Sequence, residues 1–227
     1  MRPKEDDSTF LYHEPCEKCG SSDAKSVYSN GSAYCFSCQT WFPPDDDGSG
    51  RERRGYTKVI HETPLIEIQA IQRLQSRGLS QDTVEKYNYG IGMYQGDPVQ
   101  VAPYYNEGRQ IVAQHIRTKD KEFRWRGNPK GHLELFGQHL WRKNGKRLVI
   151  TEGEIDCMSI AQVFNLKWAV VSVPNGAQSA LKYIKQNLEF IEGYDEVVIA
   201  FDNDSDGKRA SQEVAQIITA GKAKIAN

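Results

Sequence analysis

The sequence predicts an α/β protein, α+β overall, in which a small cysteine-containing module precedes a larger body that ends in a parallel sheet. Three observations predict it: two CxxC pairs near the amino terminus, a charged Pro- and Gly-rich stretch after them, and short apolar runs that alternate with helix-like segments from residue 147 onward. Alternating strands and helices favour a parallel sheet because right-handed crossovers place the helices on its faces. The length of 227 residues exceeds the usual size of one domain, so at least two units are expected.

Changes in composition divide the chain into four predicted segments. They are a cysteine module at 1–43, a flexible linker at 44–60, a basic mixed α/β subdomain at 61–146 and a parallel-sheet subdomain at 147–227. The linker combines Pro, Gly and blocks of charge without apolar periodicity, so it cannot bury enough surface to fold. A module as small as the first lies near the limit at which a hydrophobic core holds a fold, and a structural metal is the usual remedy.

The formal net charge of −1 conceals a strong segregation of charge along the chain. The segment from Arg109 to Arg147 carries eleven Lys or Arg and three Asp or Glu, a net charge of +8, so the rest carries −9. A polyanion would therefore be attracted to one region of the molecule. No apolar stretch approaches the roughly 20 residues of a membrane helix, and the first residues lack the apolar run of a secretory signal. We expect a cytoplasmic protein without a membrane partner.

Four of the five cysteines have the spacing of a zinc site. Cys16 and Cys19 form one CxxC pair, Cys35 and Cys38 form another, and fifteen residues lie between the pairs. Each pair can present two thiolates to one ion, and four sulfurs complete the tetrahedron of a structural Zn²⁺. Two redox dithiols or buried apolar cysteines are the alternative, which this spacing disfavours. Cys157 stands apart and is predicted to pack within a helix.

Polar and aromatic residues around the cysteines are candidates for contact with a nucleic acid. Tyr34, Phe36 and Trp41 could pack on the module or stack with unpaired bases. Asn30 and Ser32, on the turn before the second CxxC pair, could hydrogen-bond to base edges. We predict nucleic-acid contacts at Asn30, Ser32 and Trp41.

The region after the linker is predicted to contain two helices and a hairpin. Apolar residues between 65 and 77 follow a partly helical spacing, which predicts a helix that ends at Gly78. Ser80 is a candidate N-cap for a second helix that extends to Tyr87. Two β-rich runs, PVQVAPYYN and RQIVAQHIRT, flank a turn at Glu107 and Gly108 and predict a β-hairpin.

The hairpin continues into a basic strip, HIRTKDKEFRWRGNPKGH, in which cations interleave with Phe123 and Trp125. Cations neutralise phosphates and planar rings stack on bases, so this composition suits a nucleotide or a single-stranded template in a groove. A solvated charged face is the alternative. The predicted binding residues of the strip are His115, Arg117, Lys119, Lys121, Arg124 and Arg126.

Acidic residues follow two of the predicted parallel strands. The sequence TEGEID comes after the run KRLVI, and FDND ends the run EVVIA. The carboxyl ends of parallel strands share one edge of a sheet, so Glu152, Asp202 and Asp204 are expected to converge there. Clustered carboxylates require a cation, and Mg²⁺ binds a few carboxylates while keeping water and substrate phosphates as ligands. The sequence therefore predicts a magnesium site suited to phosphoryl or nucleotidyl transfer.

Two other interpretations of these acids remain. Glu154, Asp156 and Asp206 are interpreted as solvated acids that the dipoles of helix N-termini favour. The residues from Asp202 to Glu213 also fit the calcium-binding pattern of an EF-hand loop. That loop needs an entering helix, whereas YDEVVIAF is a β-branched run that prefers a strand.

In this order, these motifs resemble the primase half of the T-odd phage primase-helicases. The likeness spans nearly the whole chain, through FLYHEPCEKCGSSD, YCFSC, RTKDKEF, LFGQHLW, VITEGEIDCM and FDNDSDG. The last two stretches are similar to the motifs of the TOPRIM fold. The resemblance implies a zinc ribbon, a linker, a basic subdomain and a TOPRIM subdomain.

The resemblance implies an enzyme that makes short RNA primers from ribonucleoside triphosphates on single-stranded DNA. It implies that the ribbon chooses the template site and that Mg²⁺ lies at Glu152, Asp202 and Asp204, with Glu152 the candidate for assisting deprotonation. Lys121 falls where the family has a nucleotide-contacting lysine and is expected to serve catalysis. The implied partners are the template, the nucleotides, the RNA primer, a replicative helicase and a DNA polymerase. The sequence contains no GxxxxGK[ST] motif, so we expect no helicase activity from these residues. The resemblance implies that oligomerisation resides largely in the helicase of the family, so we expect a monomer.

The sequence departs from the family at two positions that concern binding. His115 stands where the family has a lysine, and it could still donate a hydrogen bond to phosphate. Ser32 stands where the best-known relatives have histidine, so the preferred template sequence is expected to differ. The alternative functions are a non-catalytic module that binds single-stranded DNA and tethers a replicative helicase, and a TOPRIM nuclease.

Overall fold

The structure, a computed structural model, describes residues 9–44 and 63–226. These residues belong to two compact units that divide between Lys58 and Val59. The predicted linker at 44–60 lies outside the described residues except for its first position, as does the stretch before residue 9. In the part of the chain that is described, no helix combines the length and apolarity that a membrane crossing requires.

The first unit is a four-stranded antiparallel sheet in which the strands follow one another in chain order. Cys16 and Cys19 lie between its first two strands, and Cys35 and Cys38 lie at the connection between its last two. Among the described residues of this unit, the buried apolar side chains are Val27 and Ala33 besides two of the cysteines. Its strands are β1 (Phe10–Glu14), β2 (Lys25–Tyr28), β3 (Ala33–Cys35) and β4 (Thr40–Phe42).

The second unit begins with a short helix and a second antiparallel sheet. Helix α1 (Gln81–Lys86) starts where the sequence predicts, because the Ser80 side chain accepts a hydrogen bond from the backbone N–H of Thr83. The predicted hairpin is also confirmed, as the two middle strands of the sheet. The sheet consists, in chain order, of β5 (Gly90–Tyr94), β6 (Asp97–Tyr105), β7 (Ile111–Arg117) and β8 (Phe123–Gly127).

The helix predicted over 65–77 is wrong. Most of this segment has no regular secondary structure, and its helical part is one 3₁₀ turn, Gln75–Arg77, which ends at the left-handed Gly78 as expected. The backbone N–H and carbonyl of Ile66 both hydrogen-bond to the side-chain amide of Gln114 on β7, at 2.7 and 2.8 Å. Ile66 and Ile68 are two positions apart, as residues on one side of a strand-like segment are. Both pack on the face of the sheet that β7 helps to form.

The carboxyl-terminal part of the second unit is a parallel sheet with the strand order β10-β9-β11-β12. The predicted alternation of strands and helices is confirmed, and a short strand follows the last helix. The strands are β9 (Gly145–Thr151), β10 (Ala169–Ser172), β11 (Tyr194–Ala200) and β12 (Ala223–Ile225). The helices are α2 (Glu154–Val163), α3 (Ala177–Gln186), α4 (Leu188–Glu192) and α5 (Ser205–Ile217).

One hydrophobic core joins the two sheets of the second unit. Tyr87, Tyr104 and Phe136 are buried in the same cluster as the apolar residues of the parallel strands. The Tyr87 hydroxyl donates to the Val170 carbonyl at 2.9 Å, and Phe136 pairs with Ser172 at the edge of β10. The antiparallel sheet is therefore fixed against the parallel sheet, which brings residues of both into one site.

Candidate functional site

The four cysteines of the first unit form a cluster with the geometry of a metal site. Their sulfur atoms all lie within 4.8 Å of one another. The Sγ atoms of Cys16 and Cys38 are 3.8 Å apart, and those of Cys19 and Cys35 are 3.7 Å apart. A tetrahedron with metal–sulfur distances of about 2.3 Å has edges of about 3.8 Å. The cluster therefore fits one ion with four thiolate ligands.

The thiols of this cluster differ in their ease of deprotonation. A hydrogen bond with Thr40 is the main reason that the pKa of Cys38 falls to about 6. One thiolate is thus available to a metal near neutral pH. Cys157 is buried in α2, as predicted, and burial raises its pKa well above the ordinary value.

One face of the first sheet carries exposed aromatic rings. The strand register places Ser26, Tyr34 and Trp41 directly opposite one another on β2, β3 and β4. Trp41 is 46% exposed and Phe36, just beyond β3, is 61% exposed. This face therefore offers rings to an unpaired base.

Asn30 and Ser32, the two polar residues predicted on the turn before the second CxxC pair, differ in their exposure to solvent. Asn30 is exposed, as a base contact requires. Ser32 is fully buried, and its hydroxyl donates to Asn30 Oδ1 at 2.7 Å while its backbone N–H donates to the same oxygen at 3.0 Å. Ser32 therefore holds the side chain of Asn30 and does not present its own hydroxyl at the surface.

The acidic edge lies where β9 and β11 end side by side. Thr151 and Ala200 are register partners, and Glu152 and Asp202 follow them. Glu152 Oε2 accepts from the backbone N–H of Asp202 at 3.3 Å, and Oε1 accepts from that of Ala177 at 3.1 Å. The carboxylate of Glu152 is therefore fixed between the end of β11 and the start of α3.

Asp204 has a different environment from the other two predicted metal ligands. It is the N-cap of α5, and its Oδ1 accepts from the backbone N–H of Gly207 at 2.8 Å. The segment that precedes it is strand β11, and Glu213 lies inside α5. The EF-hand pattern is therefore not accompanied by the entering helix that such a loop needs.

A cleft of about 480 Å³ opens at the acidic edge. Desolvation, and then the negative charge of Asp202, raise the pKa of Asp156. Carboxylates that repel one another in this way are the donor set that a hard divalent cation neutralises. The residues that line the cleft are His115, Phe123, Glu152, Gly153, Glu154, Asp156, Val173, Asn175, Gly176 and Asp202.

Glu154 is not the solvated acid that its position at a helix N-terminus suggests. Its side chain is 13% exposed, and Oε1 accepts from His115 Nδ1 at 2.7 Å and from the Tyr104 hydroxyl at 2.8 Å. Burial acts to raise the pKa of Glu154, but the hydrogen bond and charge of His115 outweigh burial and lower it. Nothing in the local sequence of either residue indicates this pair, whose members are 39 positions apart.

The basic strip is divided by the alternation of strand β8. Phe123 and Trp125 lie opposite Arg117 and His115 of β7, on the face toward the cleft. Arg124 and Arg126 lie on the other face, opposite Ile116 and Gln114.

Within the described chain, five of the six predicted strip residues are absent from the cleft lining. Lys121 occupies the turn between β7 and β8 with a positive φ of 65°. Lys119 pairs with Asp97 at 3.4 Å, and Arg124 pairs with Glu122 at 2.8 Å. The structure therefore brings His115, not the lysines, to the acidic edge.

A tryptophan and an asparagine connect the two sheets beside the cleft. Trp125 Nε1 donates to Asn175 Oδ1 at 2.6 Å, and Asn175 Nδ2 donates to the Tyr183 hydroxyl at 3.3 Å. Asn175 lies in the loop between β10 and α3 with a positive φ of 61°, which asparagine tolerates better than most residues. Asn175 was not predicted as a site residue because nothing in its local sequence indicates this contact.

Two family profiles identify the class of protein to which the fold and the site belong. A family profile described as Toprim-like matches residues 149–227, which hold the parallel sheet and its acidic edge. A second profile, described as the N-terminal a+b fold of bacteriophage T7 DNA helicase/primase, matches residues 70–127.

The chain belongs to the family of primases found in T7-type phage primase-helicases. It is 37% identical to the crystallised primase fragment of the bacteriophage T7 primase-helicase, with a TM-score of 0.70 over 96% of this chain and 90% of that one. A structure of T7 lagging-strand DNA polymerase with primase domains, an RNA/DNA hybrid and dTTP matches at 38% identity and a TM-score of 0.65, over 70% of this chain and 80% of that one. The DNA helicase/primase of Enterobacteria phage T3 is 38% identical over 98% of this chain, which spans 40% of that relative's length.

Proposed function

We propose that this chain is a DNA primase that synthesises short RNA primers from ribonucleoside triphosphates on single-stranded DNA during phage replication. The observation that carries the proposal is the shared cleft, in which Glu152 and Asp202 of the parallel sheet meet His115 and Phe123 of the basic sheet. Acids suit a cation, and the imidazole and the exposed ring suit a phosphate and a base. Membership of the primase family supports this assignment.

Two metals complete the proposal. Zn²⁺ would be held by Cys16, Cys19, Cys35 and Cys38 and would stabilise the first unit. Mg²⁺ would be held by Glu152, Asp202 and Asp204, the last through the oxygen that does not cap α5. When bound, Mg²⁺ supplies positive charge that stabilises in-line displacement at a phosphoryl group.

The residues of the cleft have distinct proposed tasks. Glu152, oriented by two backbone N–H groups, assists removal of the proton from the primer 3′-hydroxyl. Phe123, which is 54% exposed, provides a surface on which a base stacks. Arg117, whose guanidinium lies 5.3 Å from the Phe123 ring, and Lys121 on the adjacent turn supply charge to phosphates.

The first unit is proposed to select the template site. Trp41 stacks on an unpaired base, and Asn30, held by Ser32, hydrogen-bonds to a base edge. A replicative helicase and a DNA polymerase are the proposed protein partners. The relative from phage T3 is a helicase/primase, and the T7 structure contains a polymerase with primase domains, which supports both.

One product analysis separates this function from its rivals. The chain is incubated with Mg²⁺, labelled ribonucleotides and a pool of random single-stranded DNA, and both RNA and DNA products are resolved by length. Short RNA chains that require template support the primase assignment. Shortened DNA without RNA products would identify a nuclease, and unchanged DNA without RNA would leave a binding module.

A further inference from the structure

Glu154 is a buried carboxylate that the tasks proposed above leave unused. Placing a charged group in a poorly solvated position is costly unless partners compensate it. Both of its partners come from the antiparallel sheet, His115 from β7 and Tyr104 from β6, and both donate to the same oxygen, Oε1. The carboxylate of α2 thus connects the helix at the acidic edge to the basic sheet.

The contacts of His115 define the orientation of its ring. Nδ1 is committed to Glu154, and the ring packs nearly parallel to Trp125 and Phe123, with centroids 4.6 and 5.0 Å away. Tyr104 in turn contacts Trp125 with centroids 4.9 Å apart. No described residue hydrogen-bonds the other ring nitrogen, Nε2, and His115 lines the cleft.

We infer that Glu154 and Tyr104 are positioning residues that hold His115 so that Nε2 donates to a phosphate of the incoming nucleoside triphosphate. This inference rests on the proposed function of the same cleft. With the carboxylate at Nδ1 and a phosphate oxygen at Nε2, each ring nitrogen has a hydrogen-bond acceptor, an arrangement that an imidazolium satisfies because both of its nitrogens donate. A buried acceptor that fixes one imidazole nitrogen determines what the other nitrogen offers to a ligand.

The arrangement separates the two kinds of charge in the cleft. Glu152 and Asp202 are the acids proposed for the metal, whereas Glu154 is directed to the histidine. The carboxylate of Glu154 accepts from both His115 and Tyr104, so its hydrogen bonds compensate it within the protein. His115 therefore offers its other ring nitrogen to a polyanion beside the acids that are proposed to hold the metal.

A double-mutant cycle tests the inference in the full chain. Binding of a non-hydrolysable ribonucleoside triphosphate with Mg²⁺ is measured for the parent, His115→Ala, Glu154→Gln and the double variant. We expect His115→Ala to weaken binding about tenfold or more, as loss of a charge-assisted hydrogen bond does. We expect Glu154→Gln to weaken binding about fivefold in the parent and less than about twofold when His115 is already Ala, because Glu154 acts through His115.

Two further variants distinguish positioning from a structural role. Tyr104→Phe removes one donor to Glu154 and is expected to weaken binding in the same direction by a smaller factor. Tyr89→Phe is the matched control, because that buried hydroxyl bonds Gln100 at 2.7 Å and not the cleft residues. In primer synthesis, Glu154→Gln is expected to raise KM for the nucleotide and change kcat less than about twofold.

The outcomes separate this inference from the proposed function. If the parent binds the triphosphate but makes no RNA, the proposed function fails, and the binding cycle still decides the role of Glu154. If Glu154→Gln weakens binding equally with and without His115, Glu154 does not act through the histidine and the inference is overturned. A Glu154→Gln variant that lowers only kcat, or that binds like the parent, also overturns it.

Discussion

Asp204 differs from its neighbours at the acidic edge because one of its oxygens already stabilises the fold. Its Oδ1 caps α5 by accepting from Gly207, and such caps contribute about 1 kcal/mol. Asparagine caps a helix about as well as aspartate but carries no charge. The two contributions of Asp204, to stability and to a metal, are therefore separable by substitution.

We expect Asp204→Asn to keep the parent's stability and to lose nucleotidyl transfer, since the cap survives and the charge does not. Asp204→Ala loses both and is expected to be about 1 kcal/mol less stable as well. Thermal unfolding and primer synthesis are measured on the same preparations. An Asn variant that retains parental activity would remove Asp204 from the metal site.

At the residue scale, spacing in the sequence predicts those functional residues whose role follows from a local pattern. The cysteine pairs and the acids that end two strands follow such rules, and the structure brings the sulfurs together and places Glu152 beside Asp202. Glu154 shows the limit of such predictions. Its position at a helix N-terminus favours an exposed side chain, whereas residues of the antiparallel sheet contact and bury it. Ser32 shows the same limit, since its backbone turn directs the hydroxyl to Asn30.

Alternation along β8 gives neighbouring residues opposite surroundings. Phe123 faces the cleft, whereas Arg124 points to the other face and pairs with Glu122. The composition of the strip therefore predicts the ligand class but not which cations share a surface with the acids.

We expect Phe123→Ala to weaken nucleotide binding about tenfold, because stacking of a base on an aromatic ring is worth about 1–3 kcal/mol. Arg124→Ala is the control, and it is expected to change nucleotide binding less than about twofold. Equilibrium binding of a fluorescent nucleotide with Mg²⁺ measures both variants. Equal losses for the two would place the nucleotide elsewhere.

The packing of the segment before α1 depends on two glycines in the adjacent strand β5. A Cβ atom at Gly90 would lie 2.3 Å from Ile68 Cγ2, and one at Gly92 would lie 2.5 Å from Ile66 Cγ2. A short apolar run fits both the period of a helix and the alternation of a strand, and spacing alone favours a helix here. The packing of both isoleucines on the sheet selects the alternation instead. The two glycines leave the space that this packing requires.

Gly90→Ala and Gly92→Ala are each expected to destabilise the second unit by about 1–3 kcal/mol, the usual cost of overpacking. Gly131→Ala is the matched control, since the nearest atom to its Cβ would be 3.7 Å away. Urea unfolding followed by far-UV circular dichroism gives the comparison. Parental stability for both strand variants would show that the segment does not pack there.

On the scale of the whole molecule, the segregation of charge predicts a polyanion partner but not one continuous groove. Arg117 lies on the cleft face of β7 and Arg126 on the opposite face of the sheet. Arg142 and Lys146 line a separate cavity of about 640 Å³ where the parallel strands begin. Charge along a sequence is one-dimensional, and the alternation and crossovers of strands distribute it over several surfaces.

The described residues of the first unit include too few buried apolar side chains to account for its fold without a metal. We expect one zinc per chain, lost in Cys19→Ser and retained in Cys157→Ser, because Cys157 is buried in α2 and is not one of the four clustered cysteines. Elemental analysis of purified protein measures this directly. A Cys19→Ser variant with a full complement of zinc would contradict the assignment.

The central claim is that the acidic edge performs nucleotidyl transfer, and the amide variants Glu152→Gln and Asp202→Asn test it most directly. Each keeps the size of the side chain and removes the charge that holds Mg²⁺. Template-dependent RNA synthesis and single-stranded DNA binding are measured together for parent and variants. We predict that both variants lose RNA synthesis by at least about a hundredfold and bind DNA at least as tightly as the parent, because fewer negative charges cannot weaken attraction for a polyanion. Parental RNA synthesis by both variants would contradict the account.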